Sequence, residues 1–405
     1  MNLNPTVRGL INLYIPSLLA GLGWGMIIPT IPVLSVYFGV SLGAAAQTVT
    51  VYAVGRFVGT AMSGIILDRF GTRAAIVTGS LTAGIAALLA LGSPWFSGIL
   101  AAIFVIGAGD TLWTLGLEMA GIDLVHQHQR GRVISGFHGM HNGGLALGPL
   151  LGGVLTEALN FRAVFVAYVI CAALAVFFGF IARIVRSPQI SQPIPKPMKV
   201  FRLSQRLHDF ADLFKQIQPH LRNTYAVLVI ATTTSIMFRL TIQSMLPLYA
   251  GSHLGFTPTE VGLLFSISGA FVFAMILPAG FILDKLGRKW ATVPSTGLPA
   301  LAFLLIPFSD TFFELAVLVS LTGIANGLSL GSLATSTYDV VPPAARGRLQ
   351  AARRTVAEMG GVSGPLIGGL LADAFNPGVP FLVYAPLILS SAVLLAMVAR
   401  ETLIK

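Results

Sequence analysis

Nine ionisable side chains interrupt stretches that are otherwise apolar: Arg56, Asp110, Glu118, His138, His141, Arg239, Arg353, Arg354 and Glu358. A charge in apolar surroundings is costly without a partner, so these residues mark candidate positions for a substrate cavity or for proton coupling. At 1.5 Å per residue, Arg56 and Asp110 each stand ~18 Å from the same end of their helices, which puts them at one level. They form a candidate ion pair, able to act as a protonation switch or as a static tie between two helices. His138 and His141 share one helical face at ~9 to 14 Å depth. No acidic or cysteine cluster accompanies them, so they read as cavity-lining or proton-relay groups and no metal is expected.

The elements that hold these side chains must be membrane helices. Of 405 residues, 55% are hydrophobic and 10% charged, against ~25% charged in a soluble domain. Apolar runs of roughly 20 residues recur, each long enough to span a bilayer. They lack strand alternation, so helices rather than barrel strands must satisfy the backbone. Spans are predicted at 10–38, 43–66, 74–92, 95–121, 132–156 and 161–186, then at 223–250, 258–282, 290–308, 312–340, 348–372 and 379–400. The expected fold is all-α, with twelve transmembrane helices in two six-helix bundles around a central cavity. Residues 1–186 form the first bundle, 187–222 a polar linker and 223–405 the second bundle. Within the linker, Val200, Leu203, Leu207, Phe210, Phe214 and Ile217 recur at three and four, which predicts an amphipathic helix. Such a helix either lies on the membrane or packs beneath the protein.

Twenty of the 25 Lys and Arg fall on one set of loops and ends, and Arg162 alone falls on the other. The positive-inside rule therefore predicts cytoplasmic termini and a cytoplasmic linker. The net charge of +10 is thus a topology signal and not a sign of nucleic-acid binding. Cys171 is the single cysteine, which excludes an intrachain disulfide. No P-loop, nucleophile motif or metal cluster is present, so neither an enzyme nor a cofactor is expected.

The chain repeats itself. GGLALGPLLGG starts at Gly143 and GGVSGPLIGG at Gly360, and a constant spacing of 216 residues carries Gly144, Gly148, Pro149, Gly152 and Gly153 onto Gly360, Gly364, Pro365, Gly368 and Gly369. The same spacing carries Gly64, Asp68 and Gly71 onto Gly280, Asp284 and Gly287, and Asp123 onto Asp339. A gapless repeat of this length predicts two halves of like orientation, related by an axis along the membrane normal. The glycine stripes allow close helix approach, and the prolines bend the helices. His138 maps onto Arg354 and Asp110 onto Asn326, so the halves differ chemically, as an unsymmetrical substrate requires. The third, sixth, ninth and twelfth spans carry no interior charge, which suits lipid-facing positions.

These residues resemble the major facilitator superfamily over the whole chain. GIILDRFGTR and GFILDKLGRK resemble its signature loop between the second and third helices of each half. Residues Leu22–Pro32 (LGWGMIIPTIP) and GLALGPLLGG resemble motifs of its twelve-span drug:proton antiporters. The resemblance implies that Asp68 latches onto the start of the eleventh span, near Arg348, when the outer gate is open. It also implies that Arg69, Arg73 and Arg288 belong to the gating loops, with Arg73 and Arg288 facing Asp123 and Asp339. Thr72 stands where the family usually has arginine, which weakens the clasp of the first half. Ile103 stands where its antiporters carry a fourth-helix arginine, which leaves proton coupling to Arg56 and Asp110.

The resulting expectation is a monomeric secondary transporter of the bacterial inner membrane that exports a small organic compound in exchange for protons. Trp24, Met26, Trp113, Met237 and Phe238 are expected to line an apolar cavity. An importer or uniporter of a polar or anionic metabolite, recognised by Arg239, Arg353 and Arg354, is a second possibility. A facilitator-fold protein serving in membrane assembly is a third.

Overall fold

The computed structural model describes residues 5–124, 130–181, 214, 216–329, 331–342 and 345–401. Among them every regular element is helical. In the first half, α1 (Pro5–Ile27) passes through a 3₁₀ turn at Ile28–Thr30 into α2 (Ile31–Phe38). Pro29 and Pro32 remove two backbone donors there, so the first span bends instead of running straight. Next come α3 (Leu42–Gly92), α4 (Phe96–Leu124), α5 (Arg130–Ala158) and α6 (Phe161–Ile181). In the second half, α7 (Arg222–Pro247) runs into a π turn, followed by α8 (Pro258–Phe281), α9 (Arg288–Leu305), α10 (Phe312–Ser329), α11 (Ser332–Val340), α12 (Arg346–Ala374) and α13 (Val379–Met397).

The predicted second and third spans are joined into the 51-residue α3, broken only at Gly71, with φ 82° and ψ 176°. Its counterpart Gly287, with φ 135°, separates α8 and its trailing π turn from α9. Both conformations are reserved for glycine, which explains the glycine in each loop motif. The tenth span is likewise divided, into α10 and α11, around Gly331 at φ 81°.

Nine helical segments among the described residues are long and apolar enough to cross a membrane. Reading α3 as two crossings, and adding α5 and α12, accommodates twelve. Those last two are 29 residues each and carry the polar and glycine-rich sequence of the repeated phrase. The third, sixth, ninth and twelfth spans present large apolar side chains outward, among them Leu89, Phe177, Leu301 and Leu387. This is the lipid-facing ring of a multi-pass membrane protein.

Glycine brings the inner helices together. A β-carbon on Gly144 would meet the Leu18 carbonyl, one on Gly148 the Leu22 carbonyl, and one on Gly152 the Met26 carbonyl, so α5 lies directly on α1. In the second half Gly360 and Gly364 meet Thr233 and Met237, and Gly368 faces Met245, setting α12 on α7. The repeat read from sequence is therefore a repeat of contacts.

The other side of each phrase faces the opposite half. Gly153 meets Pro258 and Thr259 at the start of α8, and Gly369 meets Gly43 near the start of α3. These contacts lie at the end of the molecule farthest from the loop motifs, called here the far end. At the loop-motif end, Gly64, Gly71 and Gly280 have no neighbour among the described residues close enough to touch an added methyl group. The halves are pressed together at the far end and parted at the loop-motif end.

The linker prediction falls mostly outside the described residues. At its described end, Ile217 is fully buried against Tyr225, Leu228 and Leu349, and Phe214 packs on Tyr225 with ring centroids 6.1 Å apart. These two apolar positions meet protein rather than lipid.

Candidate functional site

The central charges are placed by α3 and α4. Gly55 abuts the Phe104 carbonyl and Gly107 the Tyr52 carbonyl, so the two helices run in direct contact. One turn beyond Gly107, Asp110 comes to rest 2% exposed. Its Oδ2 accepts the Tyr52 hydroxyl at 2.6 Å, while its Oδ1 has no hydrogen-bond partner. The Tyr52 ring stacks on Trp24 of α1, with centroids 3.4 Å apart and planes 3° from parallel. The Trp24 indole N–H donates to Gln243 Oε1 of α7, in the other half, at 3.2 Å.

The expected direct pair between Arg56 and Asp110 is replaced by this arrangement. Arg56 sits one turn nearer the open end and is exposed. Its guanidinium lies 5.9 Å from the centre of the Tyr52 ring and within electrostatic reach of Asp110 and of Glu358 in the opposite half. A guanidinium that can stay hydrated has little to gain from entering the dry pocket, whereas the amphipathic tyrosine can bury its ring and still supply a donor.

The remaining candidates divide into two groups. Those facing the space between the halves are Arg56, Glu358 and Arg354, the last two forming a one-turn ion pair at 3.7 Å with Arg354 70% exposed. His138 is exposed and His141 half-buried, with His141 within electrostatic reach of Arg56. Glu118 is half-buried two turns from Asp110 toward the loop-motif end. The second group is tied up inside the second bundle. Arg239 donates to the Ser329 hydroxyl of α10. Arg353 donates to the Thr232 hydroxyl of α7 at 2.8 Å and to Gln350 at 3.0 Å. Arg353 is thus engaged in helix packing, whereas the buried Arg239 keeps an unpartnered Nε. Among the described residues, no three His, Cys, Asp or Glu side chains converge as a metal site would require.

Trp24, Met26, Trp113, Met237 and Phe238 are all 6% exposed or less. They belong to tightly packed interior and not to open cavity wall: Trp24, Met26, Met237 and Phe238 where the halves close over the first and seventh spans, and Trp113 inside the first half against the third span. A groove of about 300 Å³ between α3 and α4 is lined by Thr82, Ile85, Leu89 and Val105 and lies on the lipid-facing side.

The loop motifs differ between the halves. Arg288 reaches Asp339 at 3.1 Å and Asp284 at 3.4 Å, and donates to the Leu283 carbonyl at 3.0 Å. Arg73 instead donates to the Phe180 carbonyl at 3.0 Å and covers the Phe180 ring at 5.6 Å, leaving Asp123 exposed. Among the described contacts Arg73 is engaged by the end of α6, which offers both a carbonyl and a ring, in place of the expected pairing with Asp123. Asp68, Arg69 and Arg348 are exposed, with the halves parted around them.

Sequence reading missed Tyr52, Gln243, Glu157 and Asp373. The last two make contacts between the halves at the far end, and the 216-residue spacing that maps one onto the other was a signal available in the sequence.

Two sets of helices that repeat the same contacts at a spacing of 216 residues and press together at one end define a multi-pass helical membrane protein. The profile of the Major Facilitator Superfamily matches residues 13–223 and 227–404, and the chain belongs to that family. Among curated relatives it is 27% identical to multidrug resistance protein MdtG of Dickeya zeae over 62% of this chain and 59% of the relative. It is 26% identical to multidrug resistance protein MdtH of Klebsiella pneumoniae over 77% of this chain and 73% of the relative. The match thus spans under two thirds of the MdtG protein. Among solved structures, a mutant of the peptide transporter POT superposes with a TM-score of 0.80 at 13% identity, covering 96% of this chain and 94% of that one. A D-xylose-proton symporter superposes at 0.76 with 16% identity, covering 98% and 99%. At these identities the two structures speak for the fold.

Proposed function

We propose that this protein exports small organic compounds in exchange for protons, across the bacterial inner membrane with both termini and the linker in the cytoplasm. Export is supported by the relatives named for multidrug resistance and by the glycine-proline phrase of the fifth span. Proton coupling is supported chiefly by one observation: Asp110, buried at mid-depth, has a single hydrogen-bond donor in Tyr52 and one unpartnered oxygen. A carboxylate in that state is poorly compensated, and a proton on Oδ1 would relieve it. Arg56 stands between this acid and the open space, positioned to favour the ionised form when the site is hydrated. The second half has Asn326 at the equivalent position, so symmetric packing does not demand a charge there.

The test is transport into inside-out vesicles, using a panel of lipophilic cations and neutral drugs with and without an imposed pH gradient. Asp110→Asn should abolish gradient-driven accumulation while leaving energy-independent counterflow intact. Full gradient-driven accumulation in that variant would move the coupling role to Glu118, His141 or Glu358.

A further inference from the structure

Glu157 and Asp373 stand 216 residues apart and hold mirror positions at the far end. Asp373 Oδ1 accepts the Gly43 N–H at 2.7 Å, and its Oδ2 accepts the Ser41 hydroxyl at 2.7 Å. Glu157 Oε2 accepts the Thr259 N–H at 3.2 Å, with the Thr257 hydroxyl also in hydrogen-bond reach. Ser41 caps the N-terminus of α3 and Thr257 that of α8. At the repeat spacing Ser41 corresponds to Thr257 and Gly43 to Thr259. Each carboxylate thus caps the first turn of a helix in the other half, where free N–H groups and the helix dipole favour an anion. Gly153 and Gly369, one turn earlier on the same helices, have no side chain and let the halves approach closely enough for the bonds to form.

We propose that Glu157 and Asp373 are a pair of latches that hold the far end shut, the Glu157 latch releasing on protonation. The proposal rests on family membership and the alternating opening it entails, and is independent of the substrate and of the role given to Asp110. The bonds join opposite halves, so they must break whenever the far end opens. Both carboxylates are exposed, so protons from the far-side solution reach them directly.

The direction of the pH effect follows from the bonding. Hydrogen bonds from Thr259 and Thr257 hold the Glu157 carboxyl below the ordinary carboxylate range, and those bonds are lost in the open form. The closed form is therefore favoured above the open-state value, and the advantage disappears as pH falls through the closed-state value. The ionisable groups on the adjoining elements are Glu260, Arg162 and His253, the last exposed and stacked on Tyr249 with ring centroids 5.3 Å apart. Glu260 accepts the Thr257 N–H in a capping box, and Arg162 donates to the Tyr37 hydroxyl. The chain around the other latch, residues 39–47 and 374–380, carries no ionisable side chain.

Spin labels at Val36 and Phe313, 80% and 76% exposed, report far-end separation by pulsed dipolar spectroscopy on the full-length protein in lipid nanodiscs, with Cys171→Ala removing the native thiol. Glu157→Ala combined with Asp373→Ala should raise the ratio of long to short separations about tenfold or more, from the usual worth of two caps. Lowering the pH from 7.5 to about 3, below the ordinary carboxylate range, should move the parent protein the same way and leave the double variant unchanged. The exchanged carboxylates, Glu157→Asp with Asp373→Glu, should restore part of the pH response. If the alanine pair does not fold, Glu157→Gln with Asp373→Asn removes the charge with little change of shape and should show the same flat pH profile. An unchanged distance distribution in the folded double variant, or a full pH response persisting in it, would overturn the proposal.

Discussion

The Tyr52 hydroxyl donates to Asp110 at 2.6 Å, and the ring that carries it lies flat against Trp24, which reaches Gln243 across the boundary between the halves. A buried acid of the first bundle is thereby connected through two aromatic rings to the second. Parting the halves at this level removes the support from Trp24, and with it the fixed position of the donor on Asp110.

Tyr52→Phe retains the stacked ring and removes the donor. A hydrogen bond to a charged group contributes about 1.5–3 kcal/mol, so gradient-driven transport should fall about tenfold or more while the protein still folds. Vesicle uptake alongside thermal stability checks this. Unaltered uptake would show that the hydroxyl serves packing alone.

Asp68→Asn should slow turnover several-fold with little effect on expression or melting temperature. Asp68 is exposed in this conformation, so the folded state depends on it little. Its partner near Arg348 is expected only after the loop-motif end closes. Equal turnover in matched proteoliposomes would remove it from the gate.

Two glycines on α5 make an internal control. A β-carbon on Gly144 would collide with the Leu18 carbonyl, whereas one on Gly139 meets nothing. Gly144→Ala should destabilise by about 1–3 kcal/mol through overpacking. Gly139→Ala should be neutral or stabilising by up to ~1 kcal/mol from helix propensity. Melting curves followed by size-exclusion chromatography would separate them, and equal Tm values would contradict the packing described.

Adjacent arginines should behave differently. Arg353 is bonded to Thr232 and Gln350, so Arg353→Met should lower stability by about 1–3 kcal/mol through lost hydrogen bonds. Arg354 is largely exposed, so Arg354→Gln should leave stability within ~0.5 kcal/mol and act, if at all, on transport. A Tm loss in the second variant equal to that in the first would refute the assignment.

Much of this protein could be read from the residues alone. Apolar run length demands helices, because only helices or barrels satisfy a backbone in lipid. The 216-residue spacing demands two like halves, and glycines four apart demand close neighbours. Those properties belong to local sequence, so tertiary contacts did not alter them. Side-chain pairing was another matter. Depth along a helix follows from counting residues, and it put Arg56 and Asp110 at one level. The rotation of α3 against α4 about their own axes does not follow from counting, and it handed Asp110 to Tyr52. Arg73 likewise turned to Phe180, whose carbonyl and ring both meet it at the end of α6. Of the apolar residues expected around the cavity, those of the first and seventh spans are buried because the far end is the closed one, and Trp113 because the third span packs on it. Which end closes depends on small differences between the far-end contacts, made at Gly43, Glu157, Thr259 and Asp373, and those the loop motifs would make on closing. The chain must be able to break those contacts in order to work, so only the folded arrangement shows which set is formed.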